Sequence, residues 1–371
     1  LKLVLQKNKI ILEKINVTKS FLPPKEEYQS YLTRIWDTSW LTNNGPLVVE
    51  LEEKLKKYLN TPYFSFLGNG TIALQIALKA LDLKGEIITT PFSYCATTTS
   101  IIWENLEPVF VDINADDLNI NANLIEAAIT EKTTAIMATH VYGNPCDVEK
   151  IEIIAKKHNL KVIYDAAHAF GVKYQGKSLL DFGDISTCSF HSTKVFHTVE
   201  GGSIICHNPE LYEKIKLLRS FGHILDNYYV AGINGKNSEF HAAMGLCNLN
   251  HLDYIIQGRK EIFRIYDGLL DWNHLQKPTE KTGNLEYNFA YYPLVFESDA
   301  ITHKVIQALN KENIFPRRYF YPSLNQLSYL TNYQSCPVSE DISSRVLSLP
   351  LYPDLDHFIV EKISAIINSN I

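Results

Sequence analysis

Lys194 stands in a short polar turn of the stretch STCSFHSTKVFHTVEGG, between a run that reads as a strand and the glycine pair Gly201–Gly202. An amine set among apolar residues and near other cations loses proton affinity, the condition that a Schiff-base-forming lysine needs. A lone lysine in a turn is usually just solvated, so its weight comes from two features earlier in the chain. Asp165 closes the apolar run VIYDA, three residues before His168. A carboxylate at the C-terminal end of a parallel strand points into the crevice where α/β proteins bind ligands. There it can pair with a protonated ring nitrogen, as does the acid that keeps the ring of pyridoxal 5′-phosphate (PLP) cationic and electron-accepting. Asp165 alone reads equally well as an N-cap for the following turn, and His168 alone reads as a core histidine.

The third feature is GNGTIA, Gly68 to Ala73, placed between a strand and a helix. Glycines let backbone N–H groups approach an anion, and a helix N-terminus favours negative charge, so a phosphate is a natural ligand. An ordinary tight turn is the bland alternative. The same string fits the dinucleotide fingerprint G-x-G-x-x-A, but the next strand, EIITT, runs into Pro91 with no acid to hold a ribose. Further on, RRYFYPSL combines Arg317 and Arg318 with Tyr319 and Tyr321. Guanidinium groups suit a diphosphate and aromatic rings can line a base or sugar; solvated arginines over core tyrosines are the other reading.

These residues must be positioned by a scaffold. From about Tyr63 to Cys206, short apolar runs alternate with amphipathic stretches, which predicts a mostly parallel sheet covered by helices. The expected strands are YFSFL, EIITT, PVFVDI, TAIMATHV, KVIYDA, STCSFH and GSIICH. Expected helices cover 71–81, 94–105, 123–129 and 148–158, each behind a turn or capping residue such as Asn69, Ser93, Asn121 or Asp147. Two more precede the sheet, from Pro23–Pro24 to Trp36 and from Val48 to Leu59. A long helix is expected over Glu239–Leu270, with Gly245, Gly258 and Gly268 as points where it could break. The rest suggests a smaller α+β domain. The division expected is an N-terminal extension over 1–14, a large domain over 15–250 and a small domain over 251–371.

The chain has 371 residues, 46% hydrophobic and 20% charged, an enzyme-sized globular composition. Its net charge of −6, with basic residues scattered, gives no support to nucleic-acid or polybasic membrane binding. Cys95, Cys146, Cys188, Cys206, Cys247 and Cys336 lie far apart with no zinc spacing, so reduced thiols of a cytoplasmic protein and no metal are expected. Lys2, Gln6, Lys7, Asn8 and Lys9 interrupt the opening apolar stretch, so it does not read as a signal peptide.

With WLTNNGPLVVELE, NGTIALQIAL, TTPFSYCAT, HVYGNPCDV, DAAHAFG, SFHSTK, RSFGH, GINGKNSEFHAAMG and SLPLYP in order, the chain resembles the nucleotide-sugar aminotransferases of PLP fold type I from about Ile15 onward. Within them it is most similar to enzymes that make 4-amino-4,6-dideoxy sugars on dTDP. The resemblance implies a seven-stranded large domain, a homodimer with shared active sites, L-glutamate as amino donor and a nucleotide-linked keto sugar as acceptor. It makes Lys194 the lysine bonded to the cofactor and Asp165 the partner of the pyridine nitrogen. It places Gly70, Thr71, Ile72 and Ser189 at the phosphate, Tyr94 on the ring face and His168 near the phenolic oxygen. Asn234 would reach the cofactor phosphate of the neighbouring subunit, and Arg317, Arg318, Tyr319 and Tyr321 would meet the sugar nucleotide. His191 and Glu200 are weaker candidates for substrate contact. Amination at C3, a nicotinamide oxidoreductase and a non-catalytic regulatory protein on the same fold are the alternatives. Sugar dehydratases of this fold carry histidine in place of the lysine, which Lys194 argues against.

Overall fold

The structure, a computed structural model, describes residues 4–6, 9–11 and 14–371. Of the extension expected over 1–14, residues 1–3, 7–8 and 12–13 lie outside the described residues.

Seven strands form the central sheet: β1 (Tyr63–Leu67), β2 (Glu86–Thr89), β3 (Glu107–Phe110), β4 (Thr133–Thr139), β5 (Lys161–Asp165), β6 (Ile185–Ser189) and β7 (Gly202–Cys206). Their spatial order is β1–β7–β6–β5–β4–β2–β3. β6, β5, β4, β2 and β3 run parallel, while β7 is antiparallel to both β6 and β1. Parallel neighbours need long crossovers, and helices supply them. α1 (Lys25–Thr38) and α2 (Pro46–Leu59) precede the sheet. α3 (Gly70–Ala80), α4 (Cys95–Trp103), α5 (Val148–His158), α6 (Pro209–Leu218) and α7 (Glu239–Asn250) follow within and after it.

Side chains alternate across the strands and so build two cores. Phe64 and Phe66 of β1 and Val162 and Tyr164 of β5 face a core shared with α2, α5 and α7. Leu67 and Ile163 face the opposite one, with Leu74 of α3, Ile101 of α4 and Ile215 of α6. With both faces covered, these strands read as nearly continuous apolar runs, which is why all seven were visible in the sequence.

The helix expected over Glu239–Leu270 is two helices. α8 (Leu252–Leu269) starts after a break at His251, which has non-helical φ −107° and ψ 7°. The break is not at a glycine: the His251 imidazole pairs with Glu27 at 3.0 Å and packs on the Phe21 ring. α8 spans both bodies of the molecule, its Leu252 and Ile255 in the first core and its Ile262, Phe263 and Tyr266 in that of the smaller body.

The smaller body holds a three-stranded antiparallel sheet, in the order β8 (Leu275–Gln276), β9 (Pro293–Phe296), β10 (Val346–Ser348), with α9 (Asp299–Lys311), α10 (Pro337–Arg345) and α11 (His357–Asn368). Ile15–Asn16 joins it by pairing in parallel with Ile314–Phe315. The Val17 carbonyl accepts from the Leu351 amide at 3.0 Å. Four residues on, the Phe21 carbonyl accepts from His197 Nε2 of the large body at 2.7 Å. Among the described residues no helix is long and apolar enough to cross a membrane.

Candidate active site

The C-terminal ends of β5 and β6 and the N-terminus of α3 meet at a cavity of about 270 Å³, whose walls include Gly70, Thr71, Ser93, Tyr94, Asp165, His168, Ser189, Lys194, Tyr291, Tyr319 and Phe320. Asp165, the last residue of β5, is buried. Its Oδ2 accepts from Thr97 Oγ1 at 2.7 Å and its Oδ1 from the Ala167 amide at 3.1 Å. No helix directly follows Asp165 to be capped; one oxygen closes the turn to Ala167 while the carboxylate still lines the cavity. Burial pushes the Asp165 pKa up; the Thr97 and Ala167 hydrogen bonds and the charge of Lys194 pull the other way without overcoming it. Such a carboxylate is poised for a cationic partner.

Lys194 corrects one expectation. Enclosure does lower its proton affinity, but the Tyr291 hydroxyl, then Asp165 and Cys188, more than offset this, and the net shift is upward. The neighbours are acids and a phenol rather than cations. Nζ donates to Tyr291 Oη at 3.2 Å.

His168 is buried, and its Nδ1 accepts from the Tyr142 amide at 3.2 Å. Burial, helped by Lys194, holds its pKa well below the ordinary value, so it is neutral with its proton on Nε2. Tyr142 makes that contact from a left-handed backbone (φ 56°), and its hydroxyl donates to the Tyr319 carbonyl. The His168 ring lies over Phe320, centroids 5.5 Å apart.

At the phosphate-binding end, a Cβ on Gly70 would come within 3.0 Å of the Ser189 Cβ, and one on Gly202 within 2.4 Å of the Asn69 carbonyl. Both glycines let the start of α3 press against β6 and β7. Gly70, Thr71 and Ser189 line the cavity, but Ile72 does not: its amide donates to Asn69 Oδ1 at 2.9 Å, capping α3. Tyr94 is on the rim, 60% exposed. His191 and Glu200 are also on the wall, 3.6 Å apart.

The RRYFYPSL residues divide. Tyr319 lines the cavity and Arg317 is exposed, its backbone paired with Ser348. Arg318 is committed elsewhere: it pairs with Asp299 at 3.1 Å, donates to the Ser344 carbonyl and stacks on Tyr321 at 3.6 Å. Those bonds hold Arg318 against the smaller body, and neither it nor Tyr321, 54% exposed, lines the cavity. Asn234 is exposed and outside the cavity of its own chain. Sequence reasoning missed Thr97, Tyr291 and Phe320. Thr97 lies one turn into α4, a place where its spacing to Asp165 means nothing until β2 and β5 share a sheet. Tyr291 had only the weak signal of two adjacent tyrosines before a strand.

The residues present fit a pyridine aldehyde phosphate. An amine can bond the aldehyde, a buried carboxylate can face the ring nitrogen, and a helix N-terminus with a serine hydroxyl can take the phosphate.

The sequence pattern of the DegT/DnrJ/EryC1/StrS aminotransferase family matches residues 24–368. A dTDP-4-amino-4,6-dideoxy-D-glucose transaminase from Shigella dysenteriae is 46% identical over 355 residues, 94% of this chain and 97% of that protein. Among solved structures, DesI in the presence of its TDP-sugar product superposes with a TM-score of 0.90 at 28% identity, covering 97% of this chain and 93% of that one. Spr1654 from Streptococcus pneumoniae in its PLP form does so with a TM-score of 0.87 at 26% identity, covering 95% and 100%. By sequence and by fold, the chain belongs to the DegT/DnrJ/EryC1/StrS aminotransferase family.

Proposed function

We propose that the protein is a PLP-dependent transaminase that moves the amino group of L-glutamate to C4 of dTDP-4-keto-6-deoxyglucose, giving dTDP-4-amino-4,6-dideoxyglucose. The observation that carries the cofactor is the convergence of Lys194, Asp165 and the N-terminus of α3 on one cavity. The acceptor rests on the likeness to the Shigella transaminase.

When bound, PLP supplies a cationic ring that takes up the electron pair left as a proton departs the donor's α-carbon. The chain's own residues do the rest. Asp165 holds the positive charge at the ring nitrogen and, being buried, is not screened by water. Gly70 and Thr71 amides and the Ser189 hydroxyl hold the phosphate; His168 offers its Nε2 proton as a donor. Lys194 Nζ, once released, takes a proton from the donor's α-carbon and later returns one at C4 of the sugar. Tyr319, on the cavity wall, borders the approach for the sugar nucleotide.

The working unit is read as a homodimer. Leu225 (84% exposed), Tyr228 (79%) and Trp36 (69%) leave large apolar side chains in solvent on a single chain. Leu225 and Tyr228 belong to a hairpin in which His223–Ile224 pairs with Asn227–Tyr228, and exposed Asn234 lies six residues after it, as a residue serving the partner's site would.

The test is direct. Purified protein should take up PLP with a visible band that borohydride traps, and Lys194→Ala should lose it. With glutamate, mass spectrometry should show amination of a dTDP-4-keto sugar. A wild type that binds PLP but aminates only 3-keto sugars would overturn the C4 assignment, and one that takes up no PLP would overturn the cofactor.

A further inference from the structure

Where the two bodies meet, the hydrogen bond from Lys194 Nζ goes to Tyr291 Oη, a residue of the smaller body just before β9. Tyr292, next in the chain, points away, buried and donating to Asp267 Oδ1 at 2.8 Å. The backbone beneath Tyr291 is bolted in place. Asn288 Nδ2 donates to the His168 and Phe170 carbonyls at 2.8 and 2.9 Å, and its Oδ1 accepts from the Ala290 amide at 3.1 Å. Buried Arg259 donates to the Ala290 carbonyl at 3.1 Å. The Tyr291 ring stands edge-on to His168 (4.9 Å, 71°) and to Tyr319 (5.7 Å, 88°). The phenol is thus set by a network spanning both bodies.

An ammonium can only donate a hydrogen bond, a neutral amine can also accept one, and a phenol can do either. One contact therefore serves both charge states of the lysine: Oη accepts from the ammonium, and the O–H donates to the free amine. We propose that Tyr291 is a positioning residue that holds the Lys194 amine whenever it is not bonded to cofactor, keeping Nζ in the cavity between its two proton transfers. Its purpose rests on the transaminase reading above; its measurement does not. The ionisable groups facing the amine are Tyr291 from the smaller body, Asp165 at the end of β5, Cys188 on β6, His168 after β5 and Tyr94 ahead of α4.

The experiment uses cofactor-free protein and an amine-selective acylating reagent over a pH series, with labelling of Lys194 read by peptide mass mapping. Tyr291→Phe removes only the oxygen. It should speed labelling near neutral pH by about tenfold, because the ammonium loses an acceptor that favours it, and the gain should shrink without vanishing at high pH, where the wild-type lone pair still takes the Tyr291 O–H hydrogen bond. Tyr291→Met should give the same shift, and Tyr319→Phe, which removes a cavity phenol not bonded to Nζ, should leave the profile in place. A rate change that is constant across pH, meaning altered access alone, or no change, would overturn the proposal. In the PLP-loaded protein, Tyr291→Phe should lower kcat by about tenfold with KM for glutamate within about twofold, since the contact is made to the base and not to the donor. Should the wild type aminate no keto sugar, the reaction assigned above fails while the labelling result still decides Tyr291.

Discussion

Asp165 is placed where its own charge is costly. Buried at the end of β5, it has its pKa pushed up by desolvation. An acid whose pKa is higher in the folded than in the unfolded state contributes a penalty that is absent while both states are protonated. The penalty grows as pH rises from the unfolded value through the folded one. Asp165→Asn keeps an acceptor for the Ala167 amide, turns an N–H toward the Thr97 hydroxyl, which can accept it, and removes the charge. Cofactor-free Asp165→Asn should therefore melt higher than the cofactor-free wild type at neutral pH, and the gap should close in acid. In the loaded enzyme the same change should cost about 100-fold or more in kcat, within the range for losing a group that acts on the transition state. Paired melting curves and steady-state rates check both halves; an unchanged rate would remove Asp165 from the ring nitrogen. At this scale a strand end pointed to Asp165 and the turn after a strand to Lys194, while His168 and Ser189 came with the family resemblance; the structure puts all four on one cavity wall. The sequence hid Thr97 and Tyr291, whose roles come only from contacts 68 and 97 residues away. It also misjudged Lys194's proton affinity, since the charges that decide it arrive from other elements.

The elements were legible wherever both faces of the sheet are covered, for there strand and core coincide. The boundary between α7 and α8 was not, since His251 breaks the helix through its side-chain partners Glu27 and Phe21 rather than through backbone freedom. The close approach of β7 to α3 was also invisible: the sequence put Gly202 at the head of the expected strand GSIICH, where the structure has it, but carried no sign of what it faces. A Cβ there would lie 2.4 Å from the Asn69 carbonyl and 2.8 Å from the Gly70 amide. Gly202→Ala should push the α3 N-terminus away and lower stability by about 1–3 kcal/mol, the usual cost of overpacking. PLP affinity should fall more than stability does, because the displaced amides are those proposed to hold the phosphate. Denaturant titration beside PLP titration separates the two; equal affinity in the variant would mean the phosphate lies elsewhere.

For the whole molecule, the dimer reading makes each site depend on Asn234 of the other chain. Lys194→Ala and Asn234→Ala proteins, each impaired alone, should regain activity when mixed and allowed to exchange subunits. A heterodimer carries both lesions in one site and none in the other, so random exchange should restore about a quarter of wild-type activity. Absence of recovery in a mixture shown to contain heterodimers would confine each site to one chain.

The strand at Ile15–Asn16 bears on how this protein can be taken apart. The smaller body looks in sequence like a block appended after residue 250, yet Ile15–Asn16 pairs with its Ile314–Phe315 strand, Ile15 packs against its core and the Val17 carbonyl takes its Leu351 amide. A single crossover at the α7–α8 junction, joining the front of this chain to the back of a relative, would split that pair between two parents. A chimera that exchanges residues before Phe21 together with everything after His251 keeps the strand with its native partner. In modular terms, the large body is an insertion within the small one.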